Sequence, residues 1–132
     1  MNDKLAVYLD SSAIVKLIVP EPESQGLSEY LDGRRPFVSS ALALVEVLRA
    51  VRPHGASAYR LAREVLDDMG LLEMDSALLE EAADLDDELL RTLDAIHLAS
   101  ASALGDDLSE VVTYDQRMIA AATLRGLPVS SP

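Results

Sequence analysis

Residues 5–17, LAVYLDSSAIVKL, decide the fold of this chain. A bounded apolar run over 5–9 ends on Asp10, and the hydroxyls of Ser11 and Ser12 open a second apolar run with helical spacing. The first run, rich in Val, Leu and Tyr, predicts a buried strand; the second, led by a Ser or Asp N-cap, predicts a helix. Asp10 is thereby placed at the carboxyl end of a strand, the edge at which open parallel sheets hold their ligand sites. Taken alone, it needs no function, because a carboxylate there caps a helix and favours its dipole. Three further carboxylates downstream have comparable surroundings, and together they shift the reading toward chemistry.

Working outward, Pro20 and Pro22 turn the chain into a short second helix that ends near Gly33, with Pro22 suited to its first turn. FVSS at 37–40 predicts a second strand, and ALALVEVLRAV at 41–51 a helix broken by Arg52, Pro53 and Gly55. Ala58, Leu61, Ala62, Val65, Leu66 and Met69 recur at amphipathic spacing up to Gly70, after which LLEM at 71–74 is the third strand. An acidic helix over 76–90 and a helix over 93–104 ending at Gly105 follow. SEVVTY at 109–114 is the fourth strand, 116–124 a helix stopped by Gly126, and PVSS at 128–131 a fifth strand. Strands alternating with helices predict an α/β fold with a mostly parallel sheet. No internal repeat or linker divides the chain, so 1–132 is expected to be a single domain.

A chain of 132 residues buries roughly two thirds of its unfolded surface, so it needs no disulfide or structural metal, and it contains no cysteine. Its apolar runs stop well short of the roughly 18 residues of a membrane span, and the polar start from Met1 to Lys4 does not resemble a secretory signal. A soluble, cytoplasmic protein is expected, with no membrane partner. The formal net charge of −12 argues against a passive nucleic-acid coat. Half of that excess falls in 76–90, where Glu80, Glu81, Asp84, Asp86, Asp87 and Glu88 meet no base. This run reads as the solvated face of a helix whose buried stripe is Leu78, Ala82, Leu85 and Leu89, and no chemistry is assigned to it.

The informative acids lie elsewhere. Glu46 is the only charged residue between Phe37 and Leu48, Asp94 the only acid between Thr92 and Leu104, and Asp115 ends VVTY as Asp10 ends AVYL. A carboxylate in apolar surroundings must be hydrogen-bonded, paired, protonated or bound to metal. If the first and fourth strands are neighbours where the sheet reverses its winding, Asp10 and Asp115 flank one crevice. Helices that follow parallel strands then bring Glu46 and Asp94 to the same edge. Two carboxylates about 4 Å apart repel by roughly 4 kcal/mol at an effective dielectric near 20, so four together call for protons or a divalent cation. All-oxygen ligation suits Mg2+, with Mn2+ as a substitute. Such a site supports phosphoryl chemistry, and phosphodiester hydrolysis is the reaction expected.

YLDSSAIVKL, SSALALVEVLRA, LDAIHLASA and VVTYDQRMIAAATLRGLPV together resemble the successive blocks of the PIN-domain ribonucleases, in particular the VapC toxins of bacterial toxin–antitoxin pairs. The resemblance runs nearly end to end. It implies a PIN-like three-layer α/β/α sandwich with a five-stranded sheet, Mg2+-dependent endoribonuclease activity on RNA, homodimers, and inhibition by a cognate VapB-type antitoxin. By position Asp10, Glu46, Asp94 and Asp115 match the family's acidic quartet. Asp10 and Asp94 are then the expected direct metal ligands, while Glu46 and Asp115 bind through water or orient the attacking one. Thr113 fills the place of the hydroxyl that the family commonly has two residues before the last Asp.

Ser11 and Ser12 are read as hydroxyls able to orient Asp10 or to cap the helix, Ser11 being the one carried forward as a support of the site. His97, three residues after Asp94, reads as a packed, hydrogen-bonded helix residue, because a hard-cation site has little use for imidazole. Lys16, Arg34, Arg35, Arg49, Arg52, Arg91 and Arg117 fall on segments near the expected groove and are candidates to meet phosphates. One Phe and four Tyr leave little surface for base stacking. Two other functions compete: a catalytically silent module that docks a basic peptide on its acids, and a Mg2+-dependent phosphatase. The common phosphatase motif wants a second Asp two residues after the first, where this chain has Ser12.

Overall fold

The computed structural model describes residues 5–132; the polar start from Met1 to Lys4 lies outside the described residues. The chain runs β1 (Ala6–Leu9), α1 (Ser11–Lys16), α2 (Ser24–Leu31), β2 (Phe37–Ser40) and α3 (Leu42–Val51). After a 3-10 turn at Arg52–His54 come α4 (Ala56–Asp67), β3 (Gly70–Leu72), α5 (Ser76–Ala83) and α6 (Thr92–Ala103). A second 3-10 turn at Gly105–Asp107 leads to β4 (Leu108–Val112), α7 (Gln116–Leu124) and β5 (Val129–Ser130). The five strands form one sheet of order β3-β2-β1-β4-β5, and every pairing is parallel. β1 therefore lies at the centre with β4 beside it, Leu9 level with Val112, and the winding reverses between them.

Both faces of the sheet are covered, which is why its central strands read as continuous apolar runs. Val7, Leu9 and Val112 pack on one side against Ala13 and Ile14 of α1, Leu27 and Leu31 of α2, Ala43 and Val47 of α3, and Ala62 and Leu66 of α4. Tyr8 and Val111 point to the other side, against Leu98 and Ala101 of α6 and Met118, Ala121 and Ala122 of α7. The strand period of two divides β1 and β4 between the two layers. The three-layer α/β/α sandwich is thus the observed architecture.

Several boundaries differ from the sequence expectation. The acidic helix stops at Ala83, so 84–90 are not helical and Leu89 is 78% exposed instead of completing a buried stripe with Leu78 and Ala82. Asp84, Asp86, Asp87 and Glu88 would have to occupy its last turns, where the helix dipole disfavours negative charge and Asp is a poor helix former. Pro22 precedes α2 by two residues rather than sitting in its first turn. β3 begins at Gly70 and ends before Glu73, and β4 ends at Val112, so that Thr113 keeps one backbone bond to Ser130 of β5 (3.1 Å) and Tyr114 and Asp115 lie beyond the strand. Gly126, with φ of 75°, reverses the chain after α7 and lets Pro128 and Val129 come back alongside β4.

Leu98 is fully buried between the sheet and α7. Leu98→Ala should cost about 2–5 kcal/mol in urea unfolding, the usual range for deleting a buried leucine; a loss under about 0.5 kcal/mol would mean that this layer is not packed as described.

Candidate active site

Asp10 leaves β1 in extended conformation, and its N–H is held by the Val112 carbonyl at the end of β4 (3.3 Å). Its Oδ1 accepts from the Ala13 N–H (3.1 Å) and from Ser12 Oγ (2.6 Å), and its Oδ2 accepts from Thr113 Oγ1 (2.5 Å). Asp10 itself is the N-cap of α1, Ser12 braces it, and Ser11 turns away. Ser11, the hydroxyl expected to support the site, meets Glu46 and not Asp10. At 5% exposure Asp10 is the deepest of the acids. Burial pushes its carboxyl above the ordinary value, against the hydrogen bonds of Ser12 and Thr113, the field of His97 and the Ala13 N–H.

Asp115 repeats the device on α7, its Oδ1 accepting from the Arg117 and Met118 N–H groups (2.9 and 3.1 Å). Thr113, fully buried between the two acids, donates to Asp10 and accepts from the Asp115 N–H (3.1 Å). One hydroxyl thus couples the two strand ends.

Glu46 lies in the second turn of α3 and meets Ser11 Oγ (2.6 Å) and His97 Nε2 (2.8 Å) through the same oxygen. His97 Nδ1 stands 2.7 Å from the Tyr8 hydroxyl. Burial holds that hydroxyl well above the usual phenol range, so Tyr8 stays neutral against the ring. Burial alone would raise the Glu46 carboxyl, but the hydrogen bonds of His97 and Ser11, with the charge interaction of His97, outweigh it and leave Glu46 below the ordinary value. Asp94, in the first turn of α6, receives Arg91 Nε on Oδ2 (3.2 Å), while Arg91 Nη2 reaches Asp115 Oδ2 (3.1 Å).

All four acids named from sequence stand at the carboxyl edge of the sheet: Thr113 joins Asp10 to Asp115 and Arg91 joins Asp115 to Asp94, while Glu46 has its own partners in Ser11 and His97. Glu46 and Asp94 line one cleft with Arg91, and Glu46 and Asp115 line the adjoining one with Ser11, Ser12 and Tyr114. Asp10 lies beneath, joined to them by Ser12 and Thr113. Among the described residues no three acids or histidines are grouped closely enough, as they are placed, to hold a metal ion. Arg91 instead lies between two of them. That a cation bridges Asp94 and Asp115, and that the donors are carboxylate oxygens, both fit a hard divalent ion.

Residues 7–124 match the family model described as PIN domain. The chain is 53% identical over 127 residues to the ribonuclease VapC46 of Mycobacterium tuberculosis, covering 96% of this chain and 98% of that protein. The chain belongs to the PIN-domain family. Among solved structures, the Mycobacterium tuberculosis sarcin–ricin-loop-cleaving toxin VapC20 superposes with a TM-score of 0.77 at 18% identity, over 96% of this chain and 99% of that one. A toxin–antitoxin complex from Klebsiella pneumoniae gives 0.73 at 21%, over 96% and 97%. These two show that the PIN fold is shared.

Two residues of this PIN domain play parts that sequence reasoning missed. His97 is packed and hydrogen-bonded, as read, but it spends both ring nitrogens tying Glu46 to the core through Tyr8. Its position three residues after Asp94 was the available signal. Arg91, read only as a candidate phosphate contact, is the cation nearest the acids, and nothing in its local sequence marks it as bridging to a residue 24 positions on.

Thr113→Val keeps the shape but removes the only hydrogen bond to Asp10 Oδ2 among the described residues. It should destabilise the chain by about 1–3 kcal/mol in denaturant unfolding at neutral pH. An unchanged midpoint would mean that Thr113 does not hold the buried carboxylate.

Proposed function

We propose that this protein is a divalent-metal-dependent endoribonuclease, the toxin of a VapBC-type toxin–antitoxin pair. The observation that carries the reading is the gathering of Asp10, Glu46, Asp94 and Asp115, from four separate segments, at the point where the parallel sheet reverses its winding. The relationship to ribonuclease VapC46 along almost the whole chain supports the substrate class. The likeness to a toxin–antitoxin complex supports a VapB-type antitoxin as partner. A single domain over 1–132, working in the cytoplasm as a homodimer, belongs to the same reading. Leu44 and Val45 on α3 and Leu61 on α4 leave apolar surface exposed for self-association. No helix among the described residues is long and apolar enough to cross a membrane.

In this mechanism Asp10 and Asp94 would hold Mg2+, or Mn2+ in its place, with Glu46 and Asp115 bound through water. The ion, when bound, supplies charge that offsets the phosphate oxygens and activates water for attack on phosphorus. The chain's own groups do the rest. Ser12 and Thr113 hold both oxygens of Asp10 in a fixed orientation, so the carboxylate needs little reorganisation. Ser11 and His97 keep Glu46 ionised and aimed, able to orient a water or to accept its proton. Arg91 offsets the charge of Asp94 and Asp115 in the ion-free chain.

The test is cleavage of RNA by the purified protein with Mg2+ and with excess chelator. Cleavage should require the ion, and Asp10→Asn and Asp94→Asn should each lower the rate by roughly 10²-fold or more. Because burial raises the Asp10 carboxyl, its ionised form costs stability above the acid range. Asp10→Asn should therefore melt no lower than wild type at neutral pH, with the margin closing as the pH falls and Asp10 takes up its proton. Asp94→Asn cutting at the wild-type rate, or cleavage indifferent to chelator, would overturn the assignment.

A further inference from the structure

The acidic site described above repels a polyanion, so a nuclease of this charge needs a hold on RNA somewhere else. Four cations are already engaged: Lys16 with Glu21 and Glu23, Arg34 with Glu110, Arg91 with Asp94 and Asp115, and Arg125 with Asp87, while Arg35, Arg49 and Arg117 have no ion pair among the described residues. Arg52, Arg60 and Arg63 are different. All three are exposed, none makes an ion pair among the described residues, and they line a single concave site of about 490 Å³ with Gly55, Ala56 and Tyr59. Glu64 and Asp67 lie one helical turn beyond Arg60 and Arg63 yet pair with neither, so three neighbouring guanidinium groups stand open to an anion from outside.

Local structure explains how they meet. Ala56, Tyr59, Arg60 and Arg63 recur at helical spacing on one side of α4. The turn at Arg52–His54, closed by Gly55 with φ of 102°, folds Arg52 back so that its guanidinium lies over the Tyr59 ring, 4.6 Å from the centroid. α3 connects this place to the acids, because Arg52 follows Glu46 by six residues, about 9 Å of helix, and Arg49 lies between them, exposed and also without an ion pair. The cleft beside Glu46 itself extends along α3 as far as Ala50.

We infer that Arg52, Arg60 and Arg63 with Tyr59 form a docking site for a single-stranded stretch of the RNA substrate beyond the bond that is cut. Arg60 and Arg63 take phosphates, and the Arg52–Tyr59 stack offers a flat face to a base. The stack favours RNA over an acidic protein segment, since its outer face takes a stacked base, a contact that a carboxylate side chain does not supply. This inference rests on the nuclease reading, and the experiment separates the two.

Binding of a short, fluorescently labelled single-stranded RNA of mixed sequence to the Asp94→Asn protein is followed by anisotropy across a salt series. Adding Arg60→Ala and Arg63→Ala should weaken binding about tenfold and flatten the log–log salt slope by about 1.4, at roughly 0.7 per phosphate contact on a single strand. Arg60→Lys with Arg63→Lys should keep most of the slope, and Tyr59→Leu should lose affinity with the slope nearly unchanged. Unchanged affinity and slope in the double alanine variant, or an effect confined to self-association or to binding of an acidic peptide, would overturn the inference while wild-type cleavage leaves the nuclease reading standing. If the wild type cuts no RNA and the Asp94→Asn protein binds none, both fall together.

Discussion

Negative charge collected at one edge, with its deepest member out of reach of water, must be answered by something, and that constraint organises the carboxyl edge of this sheet. Asp10, at 5% exposure, has both oxygens filled by Ser12, Thr113 and the Ala13 N–H. Glu46 is met by Ser11 and His97, and Asp94 and Asp115 share Arg91. Each answer differs with depth. The most buried acid gets neutral donors that cost little to desolvate, the half-buried one an imidazole anchored on a tyrosine, and the outermost pair a solvated guanidinium. A buried ion pair at Asp10 would have required a second desolvated charge; hydroxyls and a helix N-terminus avoid it.

The topology makes the convergence possible at low cost. Because β1 and β4 are parallel neighbours at the reversal of winding, the residues that follow them emerge side by side, and each can cap the helix it begins. Asp10 and Asp115 are thus placed by secondary structure before any function is asked of them. Glu46 and Asp94 come from the early turns of helices that start at the same edge. Local capping and the gathering of charge use the same atoms, so the fold and the site are stabilised or disturbed together.

The sequence carried the fold well where the pattern was two-sided. β1 and β4 are buried on both faces and read as unbroken apolar runs, and their terminal acids stood out against them. Glu46 and Asp94 were legible as lone charges in apolar helices. Glu110 shows where that logic is blind: it is nearly as buried as Asp10, yet it sits in β4 between Ser109 and Val111 and is satisfied far from the site by Tyr30 and Ser130. Alternation along a strand hid it, and only the packing of α2 and β5 against β4 explains it. The choice between Ser11 and Ser12, the bridging by Arg91 and the early end of the acidic helix likewise depend on contacts between distant segments. Of the arginine cluster the sequence singles out only Arg52 as a phosphate candidate, because Arg60 and Arg63 are ordinary exposed helix residues one at a time.

In the proposed reading Asp10, Glu46, Asp94 and Asp115 form one electronegative place whose partner is a small divalent cation. Isothermal titration with Mn2+ and Mg2+ compares the metal-free protein with a chain in which these four acids are replaced together by their amides. Saturable uptake is expected of the wild type and not of the amide chain, which keeps its fold by circular dichroism. Uptake of equal strength by both chains, or none by the wild type, would contradict that reading.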